Sequence, residues 1–396
     1  MPDPTEVERA DVWKSGVLAA TLTRASGGVE FAYRADYDGP PVATTLPRGR
    51  SSITVGGAIP AYFAGLLPEG RRLSALRRSV KTSADDELSL VLAVGTDPVG
   101  DVQVVPEGET PVRASPRLTV DHFEEASFAD LFATEGMEVD PVALAGVQDK
   151  ASLAMLNLPV SAAGRGYLLK LDPPEYPHLT ANESFFLRHA HACRVEAVEA
   201  RTVTDRDGRA GLVVTRFDRA VADGDVRTFA VEDGCQVLGL HPEAKYRRPA
   251  EEVLGRLAAV CAAPRPAALT LLRQVTYAYV TGNGDAHAKN FSVLGDAEGR
   301  LHPAPAYDLP SSQPYGDHTL AMRVGGANDG NLTGARFVAL GVAIGLTDRA
   351  ARRAVTETAR GVEQWIEHLE ELPYDAGVVR KLRRVVDHRR RMLLEH

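Results

Sequence analysis

A chain of 396 residues exceeds what one hydrophobic core usually organises, so two or three packed units are expected. Its 44% hydrophobic and 25% charged residues are ordinary for a globular protein, and a net charge of −8 argues against coating nucleic acid through the overall field. Cys193, Cys235 and Cys261 form no CxxC pair and no disulfide framework, which suits a reducing compartment and argues against structural zinc.

In chain order, residues 15–34 read as a hairpin, with alternating SGVLAATLTR and VEFAYRADY about the turn Ser26-Gly27-Gly28. Residues 60–80 and 84–95 read as helices, the first interrupted by LPEG at 67–70, and DVQVVP from Asp101 as a closing strand. Pro-rich residues 106–117 suit a linker. Four strands follow at 151–158, 166–172, 196–203 and 211–218, with a helix over roughly 180–194 between the second and third. Beyond residue 230 the pattern is helical, at about 248–262, 265–282, 332–345, 347–370 and 374–394. The expected class is therefore α+β, in three parts: an N-terminal subdomain 1–108, a β-rich small lobe 109–230 and a mainly helical lobe 231–396, with the site between the lobes. The N-terminus lacks a signal-peptide pattern, and the longest apolar runs, such as Val338 to Leu346, are too short to span a bilayer. A cytoplasmic, membrane-free protein is expected.

The most informative segment is YVTGNGDAHAKNFSVL, residues 279–294, where a loop joins an apolar helix to a short strand. Its Asp285 and Asn290 have the spacing D-x-x-x-x-N of the protein-kinase catalytic loop. In that loop the Asp takes the proton of the attacking hydroxyl and the Asn oxygen binds Mg²⁺. Asp308 in Ala306-Tyr307-Asp308 supplies a second hard oxygen, which suffices for a cation that keeps much of its water. Lys170, mid-strand in GYLLKLD, needs a partner if buried. A phosphate is a natural one, and Asn182 or Glu183 in the next helix could orient it. Gly146, Gln148 and Lys150 precede a strand and could bend over the phosphates. Thr215 and Phe217 could offer hinge backbone to adenine, and Asp218 could take the ribose hydroxyls. His287 reads as a loop-packing residue rather than a base and stays among the nucleotide-contacting candidates.

Only seven of the 45 basic residues are lysine, so a lysine kept here marks a position suited to a compact charge; Lys150, Lys170, Lys245 and Lys289 all fall in these segments. The basic run from Arg380 to Arg391 reads as the solvated, dipole-complementing end of a final helix.

At these residues the sequence resembles the HipA family of bacterial toxin kinases. The matching segments are LLPEG (66–70), GVQDK (146–150), YLLKL (167–171), ANE (181–183), LVVTRFDR (212–219), EDGCQVLGL (232–240), KY (245–246), GDAHAKNFSVL (284–294) and AYD (306–308). The resemblance implies a two-lobed protein-kinase-like fold behind a small antitoxin-contacting N-terminal subdomain. It implies a serine/threonine kinase using ATP and Mg²⁺, with Asp285 as base, Asn290 and Asp308 on the metal, Lys170 on phosphate, Thr215 and Phe217 at the hinge and Asp218 on ribose. It further implies a HipB-like helix-turn-helix antitoxin, contact with DNA through that partner, and a protein target such as an aminoacyl-tRNA synthetase whose phosphorylation halts translation and growth. Family members commonly carry an autophosphorylated Ser three residues before the loop Gly. Here that position is Ala143, which removes that route, and Ser152 is a candidate substitute. Two other readings stay open: a non-catalytic nucleotide-binding co-repressor scaffold, and a kinase of a small molecule.

Overall fold

The computed structural model describes residues 3–26, 28–49, 52–55, 58–83, 85–95, 97–111, 120, 122–134, 155–162, 165–222 and 225–395. Its N-terminal part is a five-stranded antiparallel sheet, ordered Ser52–Val55, Gly28–Tyr33, Val17–Ala25, Arg9–Lys14 and Val102–Pro106. Arg9–Lys14 turns into Val17–Ala25 through Ser15 and Gly16, whose positive φ values of 49° and 79° give the primed turn that right-twisted hairpins favour. Inward residues Val12, Leu22 and Phe31 pack on Phe63, Leu88 and Val91 of the short helices Ala61–Ala64 and Glu87–Val94. Between these two helices runs Gly70–Val80, which begins where LPEG ends.

A second antiparallel sheet, ordered Leu156–Ala162, Arg165–Leu171, Ala210–Thr215 and Ala200–Thr204, carries the helix Leu179–His189. Its apolar face, including Leu158, Leu169, Leu171 and Val213, closes over Phe128 and Phe132. The strand expected at 196–203 begins at Ala200 instead, because Val198 hydrogen-bonds to Ala306 and leaves the preceding residues outside the sheet. The strand expected at 151–158 starts at Leu156 among the described residues.

The remainder is helical around the helix Pro264–Thr281. Every residue from Gln274 to Ala288 is buried, so the chain is enclosed on all sides up to and through the loop containing Asp285. A small sheet of Val231–Asp233, Ser292–Gly295 and Leu301–Pro303 follows that loop. The helix expected over 347–370 stops at Gly361, where a Cβ would lie 2.3 Å from the Ala192 carbonyl, and continues as 3-10 turns about the buried Trp365. In the final helix Ala376–Leu394, Arg389 departs from the solvated reading of the basic run. It is buried, donates to the Tyr279 and His318 carbonyls at 2.8 and 2.6 Å, and lies over the Tyr279 ring. No helix among the described residues is long and apolar enough to cross a membrane.

Candidate active site

Lys170 occupies the buried half of its strand, and helix Leu179–His189 lies across that sheet so that Glu183 meets it. The Lys170 ammonium stands 2.7 and 2.9 Å from the two Glu183 oxygens and 3.2 Å from Asp308 Oδ1. Burial opposes its charge, but the two carboxylates override that penalty and raise its pKa, so the lysine is held as a cation. Asn182 does not share this task. Its amide is spent on both backbone groups of Ser311 and on the Tyr374 hydroxyl, anchoring the segment beyond Asp308.

The loop is built from the end of helix Pro264–Thr281. Gly282 closes that helix at φ 77°, and a Cβ there would meet Gln313 at 2.5 Å, so only glycine fits. Asn283 then ties two segments together: its oxygen accepts from the Asp285 N–H at 3.0 Å and its nitrogen donates to the Asp308 carbonyl at 2.9 Å. Asp308 sits at φ 56°, a left-handed conformation that costs a non-glycine residue about 1–3 kcal/mol and aims its carboxylate at Lys170 and Asn290. Asp285 accepts a 2.6 Å hydrogen bond from Tyr246, whose phenol pKa is driven up by burial and by the Asp285 charge. Among the described residues, then, Asn290, Asp308 and Lys170 line one crevice, and Asp285 is tied to it through Asn283, which accepts from its N–H and donates to the Asp308 carbonyl.

Asn290 reaches the expected place with its amide turned. Its oxygen accepts from the His287 N–H at 3.1 Å, and its nitrogen donates to Asp308 Oδ2 at 2.8 Å. Both neighbours fix that orientation, since a carboxylate requires a donor and an N–H an acceptor. Ligation of a cation by the Asn290 oxygen therefore requires a rotation of the amide. The pair still fits Mg²⁺, because a half-exposed carboxylate and an adjacent amide offer hard oxygens and leave room for water.

Two contiguous compartments, of about 350 and 260 Å³, meet at Lys170, Lys289, Tyr307 and Asp308. The larger is mainly apolar, with Phe217 stacked on Tyr307 at 5.5 Å and Thr215 at its edge. The smaller holds Asn290 and His287. His287 packs edge-on against Tyr246, a loop-packing role. Asp218 lines the larger compartment, and its two oxygens accept from Arg216 at 3.0 and 2.8 Å and from the Gly100 N–H at 2.9 Å, so it is bound into an interdomain clasp at the wall of that cavity. Gly146, Gln148 and Lys150 lie outside the described residues, as do Ala143 and Ser152.

Sequence reasoning missed Glu69 and Tyr246 as parts of the site. Glu69 contacts Lys245 at 2.5 Å and Lys289 at 3.9 Å, and Lys289 is held at 2.9 Å by Asp233. The visible traces were the break at LPEG and the lysines kept in an arginine-rich chain. Lys14, Lys170 and Lys245 are each buried against a carboxylate.

Fold and site together define a two-lobed α+β protein of the protein-kinase-like class. Residues 10–105 match the HipA N-terminal domain, and residues 142–366 match the HipA-like C-terminal domain. The candidate kinase Y4mE of Sinorhizobium fredii is 32% identical over 93% of this chain and 94% of its own length. The serine/threonine-protein kinase toxin HipA of Shewanella oneidensis is 28% identical over 89% of this chain and 86% of its own. A solved complex of Shewanella oneidensis HipA with HipB and operator DNA contains a chain of the same fold, with a TM-score of 0.77, 23% identity and 96% of each chain covered. The chain belongs to the HipA family.

Proposed function

We propose that this protein is a HipA-type toxin kinase that moves the γ-phosphoryl group of ATP to a serine or threonine hydroxyl of a protein. The observation that carries the reading is the Lys170–Glu183 ion pair standing 3.2 Å from Asp308, which itself touches Asn290. A buried lysine fixed by a helix glutamate beside a metal-type carboxylate is how kinases grip the phosphates. Lys170 neutralises phosphate charge, Glu183 keeps its ammonium in place, and Asp285 accepts the proton of the incoming hydroxyl. Asp308 and, once its amide turns, Asn290 would hold Mg²⁺, which when bound would supply positive charge to the triphosphate. The aromatic floor of Phe217 and Tyr307 suits a planar base.

A toxin HipA among the relatives, and a HipA chain of the same fold solved with HipB and operator DNA, support a toxin role neutralised by a HipB-like antitoxin that links the kinase to DNA, with the 1–108 subdomain as the antitoxin contact in this reading. Residues 109–230 serve as small lobe and 231–396 as helical lobe. The protein acts in the cytoplasm, and aminoacyl-tRNA synthetases are the first target class to test. In the experiment, purified protein and Asp285→Ala are each mixed with Mg²⁺, radiolabelled ATP and cell extract. Label on a discrete protein band that vanishes with Asp285→Ala is expected. Label confined to small molecules, or tight ATP binding with no transfer, would overturn the protein-kinase reading.

A further inference from the structure

The cleft has a third wall. Besides the β-rich and helical lobes, the larger compartment is lined by the N-terminal region, through Leu66, Pro68, Arg72, Val94, Pro98 and Val99. Arg72 also lines the smaller compartment, with Lys170, Asn290 and Asp308. Val99 is 49% exposed, which is unusual here for a large apolar side chain, and its exposed surface borders a cavity with an aromatic floor. An arginine beside three phosphate- and metal-type side chains and an uncovered valine beside stacked rings match the two ends of a nucleotide.

Two buried charge clusters hold this wall against the kinase core. At the apolar end, Arg216 contacts Asp97 at 3.2 Å and Asp218 at 2.8 Å, Arg219 pairs with Asp97 and donates to the Pro98 carbonyl at 2.9 Å, and the Gly100 N–H donates to Asp218. At the polar end, Glu69 reaches Lys245 and Lys289, and Lys289 also donates to the Gly65 carbonyl at 3.1 Å. Glu69 and Asp97 belong to the N-terminal region, and the cations that hold them belong to the core. A ligand filling the cleft therefore touches a surface whose place depends on these contacts.

We propose that the N-terminal domain reads the nucleotide directly, with Arg72 on the terminal phosphates and Val99 over the base. This deepens, and rests on, the kinase reading of the same cleft. It follows that nucleotide binding and the docking of the N-terminal domain are linked. By reciprocity, a partner that shifts this domain changes nucleotide affinity by the factor with which nucleotide changes the partner's.

The test is calorimetric titration of the full chain with Mg·ATP, Mg·ADP and AMP, using wild type, Arg72→Gln, Arg72→Lys and Val99→Asp, with a melting temperature for each. Arg72→Gln is expected to weaken ATP about tenfold, as for loss of a charge-assisted hydrogen bond, and to leave AMP unchanged. Arg72→Lys should recover part of the loss, and Val99→Asp should weaken all three nucleotides alike. The inference is overturned if wild type binds Mg·ATP but Arg72→Gln keeps its ATP-to-AMP ratio, or if Val99→Asp binds all three as wild type does. A fall in melting temperature with all nucleotides weakened equally by Arg72→Gln would make Arg72 a structural staple and overturn its phosphate role. Wild type that binds none of the three brings down the kinase reading itself.

Discussion

Lys170 and Arg389 are both buried cations, and the regions around them solve the same electrostatic problem in opposite ways. Lys170 is neutralised by carboxylates, Glu183 and Asp308, at 2.7 and 3.2 Å. Arg389 has no carboxylate in contact among the described residues and is held by two backbone carbonyls and the face of Tyr279. At Arg389 burial outweighs the opposing pull of Tyr279, Asp317 and Asp329 and lowers the pKa, whereas at Lys170 the neighbouring charges outweigh burial. A cation bound to carboxylates can exchange one of them for a phosphate. A cation bound to its own backbone can only hold that backbone. The tyrosines repeat the contrast: Tyr246 donates to the Asp285 carboxylate, while Tyr279 donates to the carbonyls of Gly330 and Leu332.

The largest effect should come from breaking the first cation. Lys170→Met leaves Glu183, fully buried, without its counter-charge, and should cost about 3–5 kcal/mol in urea unfolding. Adding Glu183→Leu removes the stranded charge and should restore most of that stability while ATP binding stays lost. Recovery of ATP binding in the double variant would show that Lys170 only props the fold. Arg389→Met is the opposing case. It should cost about 1–3 kcal/mol for each carbonyl left without its donor, with nucleotide affinity unchanged in the folded protein. A change in Mg·ATP affinity there would dissolve the distinction between the two cations. A smaller step is Asp308→Asn, which keeps a residue tolerant of positive φ and removes the charge. It should weaken Mg²⁺-dependent ATP binding about tenfold by calorimetry, in line with one lost charge-assisted contact.

What the sequence makes legible follows the range of the physics. The strand with Lys170, the helix with Glu183, and the loop from Asp285 to Asn290 are set by local periodicity and by turn residues such as Gly282, so reading along the chain finds them. Asp308 is visible as a carboxylate in a turn. Its approach to Asn290 depends on Asn283 bridging to its carbonyl 25 residues away, which no local pattern encodes. Glu69 and Asp97 are illegible for a stronger reason. They meet Lys245 and Arg216 across 176 and 119 residues, through the docking of separate cores, and their own segments look like an ordinary helix break and an ordinary turn. Asp218 is only half legible, because Arg216-Phe-Asp218-Arg219 reads equally as a ligand site and as an ion cluster; the ion cluster with Gly100 from the N-terminal region is seen only once the domains are docked.

The finest test of the contrast lies with the tyrosines. Tyr246→Phe removes the 2.6 Å hydrogen bond that fixes Asp285 and leaves the ring against His287 in place. The loop keeps its backbone anchor, since the Asp285 N–H still donates to Asn283, while the buried carboxylate loses one charge-assisted donor at a cost of about 1–3 kcal/mol. On the proposed reading the carboxylate gains freedom where it would face an incoming hydroxyl, and such loss of orientation falls on turnover rather than binding. The expected result is a drop of about tenfold in kcat with KM for ATP nearly unchanged, which is the scale of one hydrogen bond to a charged group. Tyr279→Phe should do the reverse, lowering the unfolding midpoint and leaving kcat alone. Equal effects of both substitutions on kcat would mean that the tyrosine in the cleft supports the loop as a whole, and that Asp285 is placed by its backbone rather than by its phenolic partner.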